Sequence, residues 1–294
     1  MVNRLLGSYF LNKNVLTEEQ LENVYNTQKK SRVKLGLIAV SEKLMTEEQA
    51  AECNKLQSMK NKRFGDIAVE KGYLTEDQVS RLLGLQVNPY LSFVQAIVDN
   101  DYMTFDEVEA KVNEYKNEKG FSLTDMDALK SGDIERIVPL FLPPEVNMLQ
   151  MDHILVCVKT ILRLVDNDIY FDKGYFTDHV NTDFYALQSI DGDSKATLAF
   201  IAKGNAILPL AETFGDEEFG EVDVYALDAV AEFINCVNGM YTTDLENVMD
   251  LDMLPPDYKV DPCVLSGKLL VLPVYVKGEM FNIISGFGDF IKVD

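Results

Sequence analysis

The first third of the chain repeats its pattern of apolar and polar positions every 29 residues. Each copy carries a glycine within an apolar segment, then a threonine followed by acidic residues, and a glutamine at its end. These positions are Gly7, Gly36 and Gly65; Thr17, Thr46 and Thr75; and Gln28, Gln57 and Gln86. A fourth copy keeps the threonine at Thr104 but has Val94 in place of the glycine. Such a fixed period is typical of proteins that stack one small structural unit on the next.

Each copy predicts two short helices joined by a turn. The first helix contains the glycine and the apolar positions that follow it. The second helix begins after the threonine, because threonine is a favourable N-cap and a glutamine three positions later can bond back to the cap backbone. The acidic residues in its first turn suit the positive end of the helix dipole. We therefore predict an array of helix-turn-helix hairpins.

The pattern changes in the second half of the chain. Residues 146–165 predict a long helix, and apolar segments joined by Asp-Gly at 191–192 and by Lys-Gly at 277–278 predict two β-hairpins. An acidic turn over 212–223 precedes a second long helix. The order helix, hairpin, helix, hairpin predicts an antiparallel sheet with helices on one face. The fold class of the chain is therefore α+β, an all-α array followed by this second domain.

Three parts follow from these patterns. Residues 1–88 hold the repeats, and Pro89 then interrupts the helical pattern. Residues 89–142 hold the degenerate fourth copy and a helical connector, and residues 143–294 form the domain with the sheet.

The second long helix carries polar side chains in register. Asp228, Glu232, Asn235 and Gly239 lie at positions i, i+4, i+7 and i+11, which is one stripe on a helix of 3.6 residues per turn. The opposing stripe is apolar and consists of Leu227, Val230, Ala231, Ile234 and Val237. The polar stripe is either an ordinary solvated face or a functional site.

Composition narrows the classes of partner. The net charge is −21, from 48 acidic and 27 basic residues, so the chain should repel nucleic acid and anionic membranes. No apolar run reaches the length of a membrane span or of a signal peptide, so we expect a cytoplasmic protein. The four cysteines lack zinc-site spacing, and we expect no bound metal.

The repeats resemble the N-terminal MshEN domain of type II secretion and pilus ATPases, in the third copy above all. The matching positions are Arg63, Phe64, Gly65, Gly72, Leu74 and Gln86. The second copy has Lys34 and Lys43 at the arginine and second-glycine positions, and the first copy has Leu5 and Asn14 there.

Some members of that family bind cyclic di-GMP through this motif in tandem. The resemblance therefore makes Arg63, Gly65, Gly72 and Gln86 candidate residues for binding this nucleotide. The alternative is a helical interaction module in which the glycines and leucines serve packing.

The second half resembles the CheX/CheC/FliY family of chemotaxis phosphatases. Asp228, Glu232 and Asn235 match the spacing of that family's signature, and Pro256 follows Asn235 by 21 positions where about 22 are expected. The first long helix has no matching Glu and Asn, since Glu145 is followed at +3 by Met148. This is the CheX-like pattern of one site per chain.

That resemblance implies dephosphorylation of the aspartyl phosphate on a CheY-like response regulator. Asn235 would orient the attacking water, Glu232 would pair with the receiver's lysine, and Asp228 and Gly239 would lie at the partner contact. The chain would need no cofactor of its own, because the receiver carries magnesium, and a homodimer is expected. The alternative is a non-catalytic signalling adaptor that dimerises and binds a receiver, or binds cyclic di-GMP through the repeats.

Overall fold

The computed structural model describes residues 1–29 and 32–294 and places them in two compact units. The first unit comprises Val2–Asp133, and the second comprises Ile134–Asp294 together with Met1. The division of the chain at residues 88 and 142 stays a prediction.

Helical hairpins build the first unit at the predicted period. The helices are α1 (Val2–Asn12), α2 (Glu18–Gln28), α3 (Leu35–Ser41), α4 (Glu47–Lys60), α5 (Phe64–Glu70), α6 (Glu76–Gly84), α7 (Pro89–Asp99), α8 (Phe105–Lys119) and α9 (Leu123–Ser131), with a 3-10 turn at Leu85–Val87. The hairpins predicted for the four copies are confirmed as α1–α2, α3–α4, α5–α6 and α7–α8.

One side-chain cap starts the second helix of every copy. The cap residues are Thr17, Thr46, Thr75 and Thr104. In the third copy the Gln78 N–H donates to Thr75 Oγ1 over 3.2 Å, and the Thr75 N–H donates to Gln78 Oε1 over 2.8 Å. This reciprocal pair satisfies two donors that the helix itself leaves unbonded, so the predicted capping box is confirmed.

The turn inside each hairpin passes through a residue with positive φ. These residues are Asn14 (53°), Lys43 (57°), Gly72 (72°) and Asp101 (56°), again 29 apart. Glycine adopts this left-handed conformation freely, whereas a side chain there costs about 1–2 kcal/mol. The first, second and fourth copies therefore keep the backbone turn of the third although they have lost its glycine.

The second unit combines an antiparallel sheet with long helices. Its helices are α10 (Ile134–Ile137), α11 (Met148–Leu164), α12 (Leu208–Gly215) and α13 (Val224–Leu245), with a 3-10 turn at Val138–Phe141. Its strands are β1 (Tyr170–Phe171), β2 (Tyr175–Thr182), β3 (Tyr185–Gly192), β4 (Ala196–Ala202), β5 (Leu251–Met253), β6 (Asp257–Lys259), β7 (Cys263–Val276), β8 (Glu279–Phe287) and β9 (Lys292–Val293). This confirms the α+β fold class.

The sheet runs in the order β1-β7-β8-β4-β3-β5, with β2 and β9 also on β7 and β6 also on β3. Both predicted hairpins are confirmed, as β3–β4 and β7–β8. The acidic turn predicted from residue 212 was wrong at its start, because α12 extends through Gly215. Burial of Leu210 and Ala211 holds this helix against the core.

Both faces of the sheet are buried. On one face Phe200 of β4 meets Phe233 of α13 and Phe281 of β8, with ring centroids 5.9 and 5.3 Å apart. A separate apolar cluster lies on the opposite face and includes Tyr185, Leu187, Ala199, Ile201, Leu265, Leu269, Val271, Ile284 and Ile291. The α13 helix is thus fixed by its apolar side, and its polar side stays available.

Across residues 1–29 and 32–294 we find no helix with both the length and the apolar character that crossing a membrane requires.

Candidate functional site

The polar stripe lies on the open side of α13. Asp223 caps the helix, because its Oδ1 accepts hydrogen bonds from the N–H groups of Tyr225 and Ala226 over 3.0 and 2.9 Å. The apolar stripe of the helix is buried as predicted, with every member at most 1% exposed. Asp228 and Glu232 are exposed, and Asn235 is half-buried. The helix therefore presents the acids outward and turns the amide towards the sheet.

The segment after α13 returns along this stripe. Tyr258 on β6 donates a hydrogen bond to Asp228 Oδ1 over 2.8 Å, and this bond raises the pKa of the Tyr258 phenol. Gly239 is half-buried beside Met253, whose Cε would lie 3.9 Å from a Cβ at that glycine. An alanine would fit there, so the space at Gly239 does not by itself require glycine.

A proline pair interrupts the edge strand beside the site. Pro255 and Pro256 separate β5 from β6, both of which pair with β3. Proline has no N–H to donate to a ladder, which confines it to sheet edges. The carbonyl of Leu254, just before the pair, accepts a hydrogen bond from the Gln188 side chain over 2.9 Å. Pro256 thus follows by two residues a carbonyl that shares the Gln188 side-chain amide with Asn235.

Gln188 on β3 holds the side chain of Asn235. Its Nε2 donates to Asn235 Oδ1 over 2.8 Å, and Asn235 Nδ2 lies 3.5 Å from Glu232 Oε2. The first contact is a good hydrogen bond, whereas the second is long and weak. Asn235 and Glu232 are therefore brought together, with the amide oxygen anchored and the amide nitrogen directed towards the acid.

The network continues into the core through two further side chains. Asn238 Nδ2 donates to Gln188 Oε1 over 2.9 Å, and Asn238 Oδ1 lies 2.8 Å from Nε2 of His153 on α11. The imidazole is fully buried and stacks on Tyr241 with ring centroids 4.4 Å apart. Burial lowers the pKa of His153 to about 4, and the bond to Asn238 opposes this only in part.

Sequence analysis missed Gln188, Asn238 and His153 as members of the site. Asn238 lies on the buried side of α13 among apolar residues, and an amide at such a position needs a hydrogen-bond partner. That was the available signal for Asn238, whereas nothing in the sequence brings Gln188 to either residue.

Over the described part of the chain, no three His, Cys, Asp or Glu side chains are close enough to hold an ion.

The four candidate nucleotide-binding residues lie in the third hairpin. Gly65 on α5 allows close approach of α6, since a Cβ there would lie 2.8 Å from Val79 Cγ1. Gly72 forms the left-handed turn, and Gln86 Nε2 donates to the Val33 carbonyl over 2.8 Å. Arg63 precedes α5 and is exposed. The glycines and Gln86 thus have structural functions, and a role in binding cyclic di-GMP stays a prediction.

Comparison with known proteins gives matches in solved structures alone. No protein family model and no curated protein matches the chain. The structural matches concern its C-terminal half. The chemotaxis protein CheX from Desulfovibrio desulfuricans matches 48% of this chain and 99% of its own, with 12% identity and a TM-score of 0.42.

Two further structures match in the same way. A CheC-like superfamily protein from Shewanella sp. PV-4 matches 49% of this chain and 100% of its own, with 16% identity and a TM-score of 0.43. The CheX–CheY–BeF3–Mg2+ complex from Borrelia burgdorferi matches 47% of this chain and 96% of its own, with 13% identity and a TM-score of 0.38.

Proposed function

We propose that the second unit promotes hydrolysis of the aspartyl phosphate on a CheY-like receiver domain, with Asn235 and Glu232 at the contact. The observation that carries this function is the anchored carboxamide of Asn235 on an otherwise acidic, open helix face. The match of Asp228, Glu232 and Asn235 to the signature of the CheX/CheC/FliY family implies the class of partner. A receiver is also the partner in the Borrelia burgdorferi CheX complex.

Positioning is the main contribution that such a protein makes. The phosphoryl group transfers in line to an attacking water, and a held water replaces a randomly oriented one. An amide oxygen has two lone pairs, so Asn235 Oδ1 keeps one acceptor site after bonding to Gln188. That site would hold the water, while Nδ2 would donate to a phosphoryl oxygen. We expect magnesium to arrive with the receiver.

Glu232 would dock the receiver rather than react. Its carboxylate is exposed one turn before Asn235 and would pair with the lysine of the receiver's site. Because the whole chain carries a net charge of −21, a receiver with a basic face would also be steered towards it. Asp228 and Gly239 lie further along the same stripe and would border the contact.

The test is phosphate release from a CheY-like receiver of the source organism, phosphorylated with acetyl phosphate in the presence of magnesium. We expect the wild type to accelerate phosphate release, and we expect the accelerated rate with Asn235→Ala to be about 100-fold lower than with the wild type. Thr243→Ala is the matched control, because Thr243 is exposed on the same helix about two turns beyond Asn235. No acceleration with any of the organism's receivers, or full activity in Asn235→Ala, would refute the function.

The non-catalytic adaptor is a second candidate. It is favoured by the exposed Arg63 in the one copy that has glycine at both motif positions. This function predicts that Asn235→Ala loses nothing, that the chain is dimeric, and that cyclic di-GMP binds the wild type but not Arg63→Ala. Calorimetric titration with cyclic di-GMP and sedimentation of the full chain check these outcomes.

A further inference from the structure

The side chains behind Asn235 form one continuous line of hydrogen bonds from the protein core to the open stripe. Asn235, Gln188, Asn238 and His153 bond in that order, over 2.8, 2.9 and 2.8 Å. Gln188 is 2% exposed, and Asn238 and His153 are fully buried. Buried amides of this kind must satisfy both their donors and their acceptors, so the bonds have a definite direction.

Two backbone carbonyls determine that direction. The Leu254 carbonyl lies 2.9 Å from the Gln188 amide and can only accept, so the atom facing it must be Nε2. The second hydrogen of that nitrogen then points to Asn235, which must present its oxygen. Independently, Asn238 Nδ2 lies 3.4 Å from the backbone carbonyl of Gln188, which places the Asn238 nitrogen against Gln188.

The direction of the innermost bond, between Asn238 and His153, follows from the same assignment of donors and acceptors. With its nitrogen directed at Gln188, Asn238 turns its oxygen to His153, so the imidazole must carry its hydrogen on Nε2. The other ring nitrogen, Nδ1, is buried without a hydrogen-bond partner among the described residues. A neutral ring with its hydrogen on Nε2 and a lone pair on Nδ1 is therefore the form that fits this site.

We propose that Gln188, Asn238 and His153 are positioning residues that fix which end of the Asn235 carboxamide faces a bound receiver. This inference rests on the proposed function. In the fixed orientation the oxygen stays anchored and the nitrogen faces outward beside Glu232. An unanchored asparagine side chain would sample both orientations of its carboxamide. Only one of them directs the Nδ2 donor outward while the Oδ1 acceptor is held by Gln188.

The variants compare two buried glutamines that link a helix to the sheet. Gln188→Met breaks the line of bonds, whereas Gln150→Met removes an amide that is 3% exposed and bonds to Ser285 on β8. Both changes leave buried partners unsatisfied, but only the first releases Asn235. We expect Gln188→Met to lower kcat for phosphate release about 10- to 100-fold with KM for the receiver within about twofold, and Gln150→Met to leave kcat nearly unchanged.

Gln188→Glu tests the direction itself. Once ionised, a carboxylate at this position can accept but not donate, so Asn235 would turn its nitrogen inward while Asn238 keeps its bond. Burial beside the Leu254 carbonyl raises the pKa of the introduced carboxyl, so this variant is assayed at alkaline pH. We expect kcat to fall as in Gln188→Met, because either change removes the donor that anchors the Asn235 oxygen. Equal kcat losses in Gln150→Met and Gln188→Met, or full activity in Gln188→Glu, would overturn the inference.

A readout without activity separates this inference from the proposed function. In the wild-type protein, nuclear magnetic resonance should find the neutral His153 ring protonated on Nε2. The side-chain amide hydrogens of Gln188 and Asn238 should exchange slowly with solvent, and those of Asn235 should exchange fast. If no receiver is dephosphorylated but this pattern is seen, the function fails and the orientation stands. Hydrogen on Nδ1 of His153, or a protected Asn235 amide, would overturn the orientation whatever the activity.

Discussion

Acidification should destabilise the second unit through His153. The histidine has a pKa near 6.5 when unfolded, and burial lowers that pKa to about 4 in the fold. As the pH falls, the unfolded chain therefore binds a proton before the folded protein does. The stabilising contribution of the neutral ring is complete above about pH 6.5 and is lost progressively as the pH falls towards 4.

The magnitude follows from the two pKa values. Each pKa unit corresponds to about 1.4 kcal/mol, so the full loss is about 3 kcal/mol, of which about 2 kcal/mol falls between pH 7.5 and pH 5. His153→Gln removes the titrating group and can still donate to Asn238. We expect this variant to be less stable than the wild type at pH 7.5, because the packing of the imidazole ring is lost. Because it has no titrating group, its free energy of unfolding should fall by about 2 kcal/mol less than that of the wild type between pH 7.5 and pH 5.

Hydrogen–deuterium exchange can follow this loss within the second unit. Peptides covering β3 and β4 report the free energy of opening of the central strands, which lie in the buried sheet. His179→Gln is the control, because it removes the chain's other histidine, which is exposed on β2. The reasoning is refuted if wild type and His153→Gln lose the same stability between pH 7.5 and pH 5.

Three further predictions concern single positions. Gly72→Ala should destabilise the first unit by about 1 kcal/mol, because the new side chain meets no atom within 4 Å and only the left-handed backbone opposes it, whereas Lys43→Gly should not destabilise the unit. Urea denaturation of both variants measures this difference, and equal losses of stability would contradict it. Thr75→Ala should cost about 1 kcal/mol in the same assay by removing a helix cap, and an unchanged midpoint would count against that bond. Glu232→Gln should weaken binding of a BeF3-treated receiver and reduce its salt dependence, unlike Asp244→Asn on the same helix; identical titrations would exclude Glu232 from the contact.

The hairpin array shows how far local signals reach. Threonine caps, acidic first turns and apolar spacing act within a few residues, so the sequence predicts α2, α4, α6 and α8 to within a residue of their starts. The backbone turn at Lys43 was less visible, because the sequence shows a lost glycine while the fold keeps the left-handed conformation. Packing of the two helices on either side holds that residue in its turn.

The candidate site divides in the same way. The sequence by itself determined the α13 helix, its buried apolar stripe and the register of Asp228, Glu232 and Asn235, because helical periodicity is a local property. Only the tertiary structure decided that Gln188 and His153 lie behind Asn235, since Gln188 comes from the strand β3 and His153 from another helix, α11. Hydrogen bonds between residues 47 and 85 positions apart depend on how the chain folds back, and no local pattern records that.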